Sequence, residues 1–244
     1  MQLPEDFCTQ MLNQLGEEEY EKFMKSMDNP CPVSIRWRKT SGFNARNIKA
    51  SIPWCPYGEY LDERPSFTLD PLFHAGAYYV QEASSMFIWH LCDWIKQNGE
   101  WDRSINALDL CAAPGGKTLV LASRMDDDAV LYANERSPER KKRLDNVVRT
   151  CTSLAISERI KTSCSDASPW CKKQTECYDR ILLDAPCSSE RHVYLDSKYL
   201  NIWTKSRIKT VSMEQWALLS CAYRLLEPEG ILLYSTCARS PLEN

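Results

Sequence analysis

No apolar run in this chain approaches the roughly 18 residues a bilayer crossing requires, so no membrane-spanning segment is expected. Nor is a leader expected. Met1-Gln2-Leu3-Pro4-Glu5-Asp6 has neither a basic region nor an apolar stretch, and it carries acids where a mitochondrial transit peptide avoids them. A cytoplasmic location is the expectation. There are no internal repeats, low-complexity tracts or linkers, and 244 residues suffice for one α/β domain with a modest N-terminal extension. A metal-binding pattern is lacking as well: Cys164, Cys171 and Cys177 are spaced more widely than zinc pairs and have no histidine close by, so no metal site is expected. With no export signal, the twelve cysteines do not read as a disulfide framework. Cys92, Cys111 and Cys221 sit inside apolar stretches, where a free thiol behaves as a small hydrophobe.

Nor is there an excess of positive charge. The net charge is −3, with 43% hydrophobic and 26% charged residues, the balance of an ordinary soluble protein. Phosphates are met by local patches, however. Arg136, Arg140, Lys141, Lys142, Arg143 and Arg149 form one basic cluster, and Lys205, Arg207 and Lys209 a second. Each reads equally as an RNA-facing surface or as a solvated helix face.

What is present is a change of pattern along the chain. Pro4 to Met27 reads as a polar helix with Phe7, Met11, Leu15, Tyr20 and Phe23 on its buried side. Prolines then punctuate a region of short strands and turns, with Val33–Arg38 its best strand. Glu82 to Gln97 turns helical, with Met86, Trp89, His90 and Trp94 at three- and four-residue spacing. Beyond Trp101 strands and helices alternate. The strands are Ala107–Cys111, Val130–Asn134, Ile160–Ser163, Tyr178–Asp184 and Gly230–Ser235. The helices are Lys117–Met125, Pro138–Thr150 and Met213–Leu226, the last with Trp216, Leu219, Tyr223 and Leu226 along one side. Such alternation implies parallel strands joined by right-handed crossovers, hence an α/β, doubly wound, Rossmann-like sheet.

In such sheets ligands bind beyond the carboxyl ends of the strands. The loop after the first strand is Cys111-Ala112-Ala113-Pro114-Gly115-Gly116-Lys117-Thr118, whose small residues let backbone approach a ligand at the start of a helix. It lacks the glycine a phosphate-binding loop would need at Cys111, and it lacks the dinucleotide fingerprint G-x-G-x-x-G. S-adenosyl-L-methionine fits what remains. Glu135, roughly 20 residues past the glycines at the end of the second strand, suits the ribose, and Asp166 at the end of the third could reach the adenine. A side chain at Gly116 would be expected to occupy the space of the methionine group. Two cysteines, Cys187 after the fourth strand and Cys237 after the last, would open onto the same edge.

The runs Asp109-Leu110-Cys111-Ala112-Ala113-Pro114-Gly115-Gly116-Lys117-Thr118, Asp184-Ala185-Pro186-Cys187-Ser188 and Ser235-Thr236-Cys237 resemble the signature motifs of the Nop/Sun family of RNA (cytosine-5) methyltransferases. Tyr79-Val80-Gln81-Glu82-Ala83-Ser84-Ser85-Met86 resembles the segment preceding that family's catalytic domain. The likeness runs from about Pro32 to the end. It implies an accessory, RNA-binding segment over 1–75 and a methyltransferase domain over 76–244. It implies that Cys237 attacks carbon 6 of cytosine, that Cys187 assists release of the methylated RNA, and that Asp184 faces donor and base. By the same match Gly115, Gly116 and Lys117 cradle the methionine group, Glu135 and Arg140 lie by the ribose, and Asp166 lies by the adenine. The chemistry accounts for the thiol. Carbon 5 of cytosine is a poor nucleophile until a thiolate adds at carbon 6, and cysteine both attacks and leaves.

Two features depart from the pattern. Many members follow the Pro-Cys motif with serine and glycine, whereas this chain has Ser188-Ser189-Glu190-Arg191-His192, as in some ribosomal-RNA branches. The family also continues into two more strands after the point corresponding to Asn244, so those strands are expected to be missing, and a further segment or a protein partner is expected to complete the sheet. The N-terminal segment looks most like that of bacterial small-subunit ribosomal-RNA enzymes, which favours ribosomal RNA over tRNA. The competing expectations are a same-fold enzyme acting on uridine or DNA, against which Cys237 argues, and a catalytically silent RNA-binding or ribosome-assembly factor, against which the intact motifs argue.

Overall fold

The computed structural model describes residues 3–39, 48–98, 105–189 and 203–244. Helix α1 (Glu5–Ser26) is broken at Gly16, whose φ of 74° only glycine adopts readily. Most of the stripe expected from Phe7 to Phe23 packs together, with Tyr20 and Phe23 half-buried on the cluster that holds Phe7 and Met11. Phe7 and Met11 are buried against Trp203 and Ile208, while Leu15 is exposed. Strands β1 (Val33–Trp37), β2 (Ile48–Ser51), β3 (Gly58–Leu61) and β4 (Tyr78–Val80) form an antiparallel sheet in the order β2-β3-β1-β4. Strand β4 therefore extends the small sheet past the boundary expected at residue 75. Between β3 and β4 lies a single helical turn, α2 (Pro71–His74), with proline at its start and Asp70 accepting from the Leu72 N–H at 2.8 Å.

The second helical stretch begins with a 3₁₀ turn at Ser84–Met86, so α3 (Phe87–Gln97) starts later than the pattern suggested. It buries Ile88, Trp89, Cys92 and Ile95, while His90 and Trp94 face outward. Strand β5 (Asn106–Asp109) then opens the parallel sheet, followed by α4 (Gly116–Arg124), β6 (Val130–Glu135), α5 (Pro138–Cys151), the short α6 (Leu154–Glu158), β7 (Ile160–Cys164) and β8 (Tyr178–Asp184). A long helix, α7 (Lys205–Leu225), leads into β9 (Leu226–Ser235). The strand order is β7-β6-β5-β8-β9, all parallel, so the order reverses between β5 and β8. The doubly wound fold read from the alternating pattern is the fold observed.

Strand residues alternate between two cores because successive side chains point to opposite faces. Ala107, Leu131, Ala133 and Leu182 pack toward α3, α4 and α5, whereas Leu108, Ile181 and Leu183 pack toward α7. Helix α7 corrects an expectation. It starts eight residues before Met213, capped by the Thr204 hydroxyl accepting from the Arg207 N–H at 3.1 Å. Its buried side is Ile208, Gln215, Leu218, Cys221, Ala222 and Leu225, and Trp216 and Tyr223 are each 72% exposed. The helix carries apolar residues on two faces, and only its packing reveals which face meets the sheet. Among the described residues no helix is long and apolar enough to cross a membrane.

Candidate functional site

A cleft of about 780 Å³ opens at the carboxyl ends of the parallel strands, over the point where their order reverses. It is lined by Cys111, Ala112, Ala113, Pro114, Gly116 and Lys117 after β5, by Glu135 and Arg140 after β6, and by Asp166 after β7. Asp184 and Cys187 after β8 and Cys237 after β9 complete it. Of the predicted site residues, only Gly115 stands apart. Its φ is 115°, and a Cβ there would lie 2.9 Å from Val147 Cγ1, so it serves the turn and the packing of α5 rather than the cleft.

Each side chain is placed by local structure. Glu135 ends β6 and is 3% exposed. Its Oε1 accepts from the Ser137 N–H at 2.9 Å, while its buried Oε2 has no hydrogen-bond donor aligned to it, although Arg140 Nη1 lies 3.3 Å away. Arg140 is fixed by donating to the Ala113 carbonyl at 2.6 Å, which ties α5 to the glycine loop. Asp166 sits at the exposed rim. Hydrogen bonds from the Ser168 N–H and hydroxyl hold its carboxyl below the usual range. Lys117 reaches across to Asp184, Nζ to Oδ1 at 2.6 Å, and Ser235 donates to the same oxygen at 2.8 Å.

The two cysteines meet. Cys187 Sγ lies 2.9 Å from Cys237 Sγ, and both are free thiols. At that distance one thiol donates a hydrogen bond to the other. A hydrogen bond from Cys237 pushes the Cys187 thiol down to about 6, and the same contact, together with burial, holds Cys237 protonated above the usual thiol range. Cys111 is different: burial pushes its thiol up to about 12, which leaves it inert.

Sequence reasoning gave no role to several residues that line or brace the cleft. Asp109 is fully buried beneath the loop, and its Oδ2 accepts from the Thr118 hydroxyl at 2.7 Å. Burial pushes its carboxyl up to about 7. Tyr79 and Gln81 come from the end of the N-terminal sheet. A Cβ on Gly116 would meet Tyr79 Cε1 at 2.9 Å and Gln81 Nε2 at 3.3 Å, so the constraint on Gly116 comes first from these two side chains. Arg36, on β1, donates to Gln81 Oε1 at 2.9 Å and orients that amide. Such contacts between distant segments leave no signal in spacing or periodicity.

The basic cluster of α5 is largely satisfied within the protein. Arg136 pairs with Glu214, Lys141 with Asp145 and Arg143 with Glu139, while Arg149 donates to Asn146. In the second cluster Lys205 pairs with Asp6 of α1 at 2.6 Å. Glu190, Arg191 and His192 lie outside the described residues.

Known proteins resemble this chain over almost its whole length. Residues 96–244 match the family model described as 16S rRNA methyltransferase RsmB/F, and residues 3–83 match the N-terminal domain of 16S rRNA methyltransferase RsmF. The chain is 32% identical over 263 residues to ribosomal RNA small subunit methyltransferase F of Erwinia tasmaniensis, covering 99% of this chain and 52% of that protein. It thus spans about half the length of the curated relatives it matches. A methyltransferase homolog protein from Pyrococcus horikoshii superposes with a TM-score of 0.76 at 29% identity, covering 98% of this chain and 74% of that one. NSun6 from Pyrococcus horikoshii, solved with SFG, shares the fold with a TM-score of 0.79 at 19% identity, over 99% of this chain and 85% of that one.

Proposed function

The chain belongs to the 16S rRNA methyltransferase RsmB/F family, and from that membership we propose that it methylates carbon 5 of a cytosine in ribosomal RNA, with S-adenosyl-L-methionine as donor and a covalent cysteine adduct on the path. The observation that carries this reading is the thiol pair, Cys187 and Cys237 at 2.9 Å, in one cleft with Glu135 and Asp184.

The cleft suits the donor. Its volume is within the range of ligand sites. Glu135 offers a buried, unsatisfied oxygen to a ribose hydroxyl. Glu135, Asp166 and Asp184 give the cleft the negative character a sulfonium favours. Ala112, Ala113, Gly116 and Lys117 would hold the methionine group, with Gly115 setting the turn, Cys111 and Pro114 lining it, Arg140 beside the ribose and Asp166 beside the adenine. When bound, the donor supplies an electrophilic methyl group.

The residues of the chain do the rest. With one proton lost from the thiol pair, the remaining proton rests on Cys237 in the free protein, and attack requires that it pass across the short contact to Cys187 as the cytosine arrives, leaving Cys237 as the thiolate. Cys237 adds to carbon 6, forming a C–S bond and moving an electron pair to carbon 5, which then takes the methyl group. Asp184, held by Lys117 and Ser235, faces the base. Transfer of the carbon 5 proton to water returns the electrons to the ring and expels the Cys237 thiolate, with Cys187 assisting release. The segment 1–75, with the rest of the small sheet, serves as the RNA-binding accessory part. Strand β9 closes the described sheet at one side, and an edge strand offers pairing to a further segment or a partner protein.

The order of events supplies the test. Incubated with ribosomal RNA and donor, Cys237→Ala should give neither product nor adduct, Cys187→Ala should give a denaturant-resistant protein–RNA band, and the double variant should lose that band. An adduct that survives in Cys237→Ala would transfer the nucleophile to Cys187. No adduct in any variant, with no methylated cytosine by bisulfite sequencing, would refute the enzyme reading in favour of a silent assembly factor.

A further inference from the structure

Next to the cleft, the backbone around Cys187 is held in a way the reaction above does not use. Gln215, on the buried side of α7, is 3% exposed, and Glu243, six residues after Cys237, is 2% exposed. Gln215 Nε2 donates to the Pro186 carbonyl at 2.8 Å and to Glu243 Oε2 at 3.0 Å. The same Glu243 oxygen accepts from the Ser188 N–H at 2.8 Å. The peptide groups on both sides of Cys187 are therefore fastened to one amide–carboxylate pair. Glu243 is fastened in turn to the strand that carries Cys237, because the Tyr234 hydroxyl donates to its carbonyl at 3.0 Å.

We infer that Glu243 and Gln215 are positioning residues that clamp the Cys187 turn to the Cys237 segment and so fix the spacing of the two thiols. The inference rests on the reading of those cysteines as the working thiols. A buried carboxylate and a buried amide are costly in an apolar interior unless they organise something, and each still has one oxygen without a partner, Glu243 Oε1 and Gln215 Oε1. What they organise is the only described link between the residue after Cys187 and the segment following Cys237 that runs through a side chain. Proton sharing between two sulfurs weakens steeply with separation, so freeing the Cys187 turn should return both thiols to ordinary behaviour. Among the described residues, the other groups facing the pair are Asp184, already paired with Lys117, the Ser189 hydroxyl and Tyr234.

The test is the pH profile of iodoacetamide labelling of the full chain, read at the Cys187 and Cys237 peptides by mass spectrometry. In the wild type the Cys187 peptide should show a midpoint near 6, and the Cys237 peptide should label only at higher pH. In Glu243→Ala the midpoint should rise to the ordinary thiol value of about 8.5, so that at pH 7 the thiolate fraction falls by roughly thirtyfold. Glu243→Gln keeps an oxygen for the Ser188 N–H and should stay near the wild type. If Glu243→Ala does not fold, as judged by circular dichroism, Gln215→Met removes the donors at similar volume and should raise the midpoint in its place. A wild-type midpoint already near 8.5 would overturn the inference. So would an unchanged midpoint in whichever of these two variants folds, or a shift in Glu243→Gln as large as that in alanine. Labelling needs neither RNA nor donor. A moved midpoint alongside absent RNA adducts would sink the proposed function and leave the clamp standing, and the reverse pair of results would do the opposite.

Discussion

Replacing Asp109 by asparagine tests how deeply the donor loop is rooted in the sheet. Asp109 ends β5, is fully buried, and holds the Thr118 hydroxyl at 2.7 Å, so it joins the strand to the first turn of α4. Burial raises its carboxyl from 3.8 to about 7 in the folded chain. Between those values the folded state binds a proton that the unfolded state has released. Stability from this group is therefore complete below about pH 4 and is lost as pH rises to about 7. A shift of about three units corresponds to about 4 kcal/mol, an upper figure because the unfolded chain is not fully solvated everywhere. Asparagine keeps an oxygen for Thr118 and does not titrate. Urea unfolding followed by tryptophan fluorescence, at intervals from pH 4 to pH 8, gives the stability difference between variant and wild type. That difference should move in favour of the variant by several kcal/mol up to about pH 7 and level off above it. Parallel profiles for the two proteins would show that Asp109 ionises normally and that the account of its burial is wrong.

Glu135→Ala should weaken S-adenosyl-L-methionine binding by about 1.5–3 kcal/mol, roughly ten- to a hundredfold in Kd by calorimetry, because a charged acceptor is lost; unchanged affinity would remove Glu135 from the ribose. Gly116→Val should abolish binding by displacing Tyr79 and Gln81, and Gly116→Ala combined with Tyr79→Ala should recover part of it, whereas failure of the pair to recover any binding would return the constraint to the ligand itself. Gly115→Ala should cost about 1–3 kcal/mol in chemical denaturation, from a backbone conformation that disfavours a side chain and from contact with Val147, and a neutral substitution would contradict that conformation.

Much of the site was legible because its residues are contiguous in short runs. The loop Cys111–Thr118, the acid Glu135 and the two cysteines each follow a strand, and a parallel sheet brings all strand ends to one edge whatever lies between them. Helix faces were harder. The stripe of α7 was misassigned because Trp216 and Tyr223 fit helical spacing as well as Leu218 and Leu225 do, and hydrophobicity alone does not say which side is covered. In α1, Leu15 continues the four-residue spacing of Phe7 and Met11 and yet is exposed.

The sequence by itself determined the parallel, doubly wound order of elements and the set of residues gathered at its carboxyl edge, because alternation of strand and helix and the end of each strand are local properties. Only the tertiary structure decided how those residues engage one another. The 2.9 Å approach of Cys187 to Cys237 joins positions 50 residues apart, and the bond from Ser188 to Glu243 joins positions 55 apart. The seat of Gly116 against Tyr79 and Gln81 likewise depends on how the small sheet docks on the large one. Distances of this kind follow from the packing of whole elements, and no periodicity along the chain encodes them.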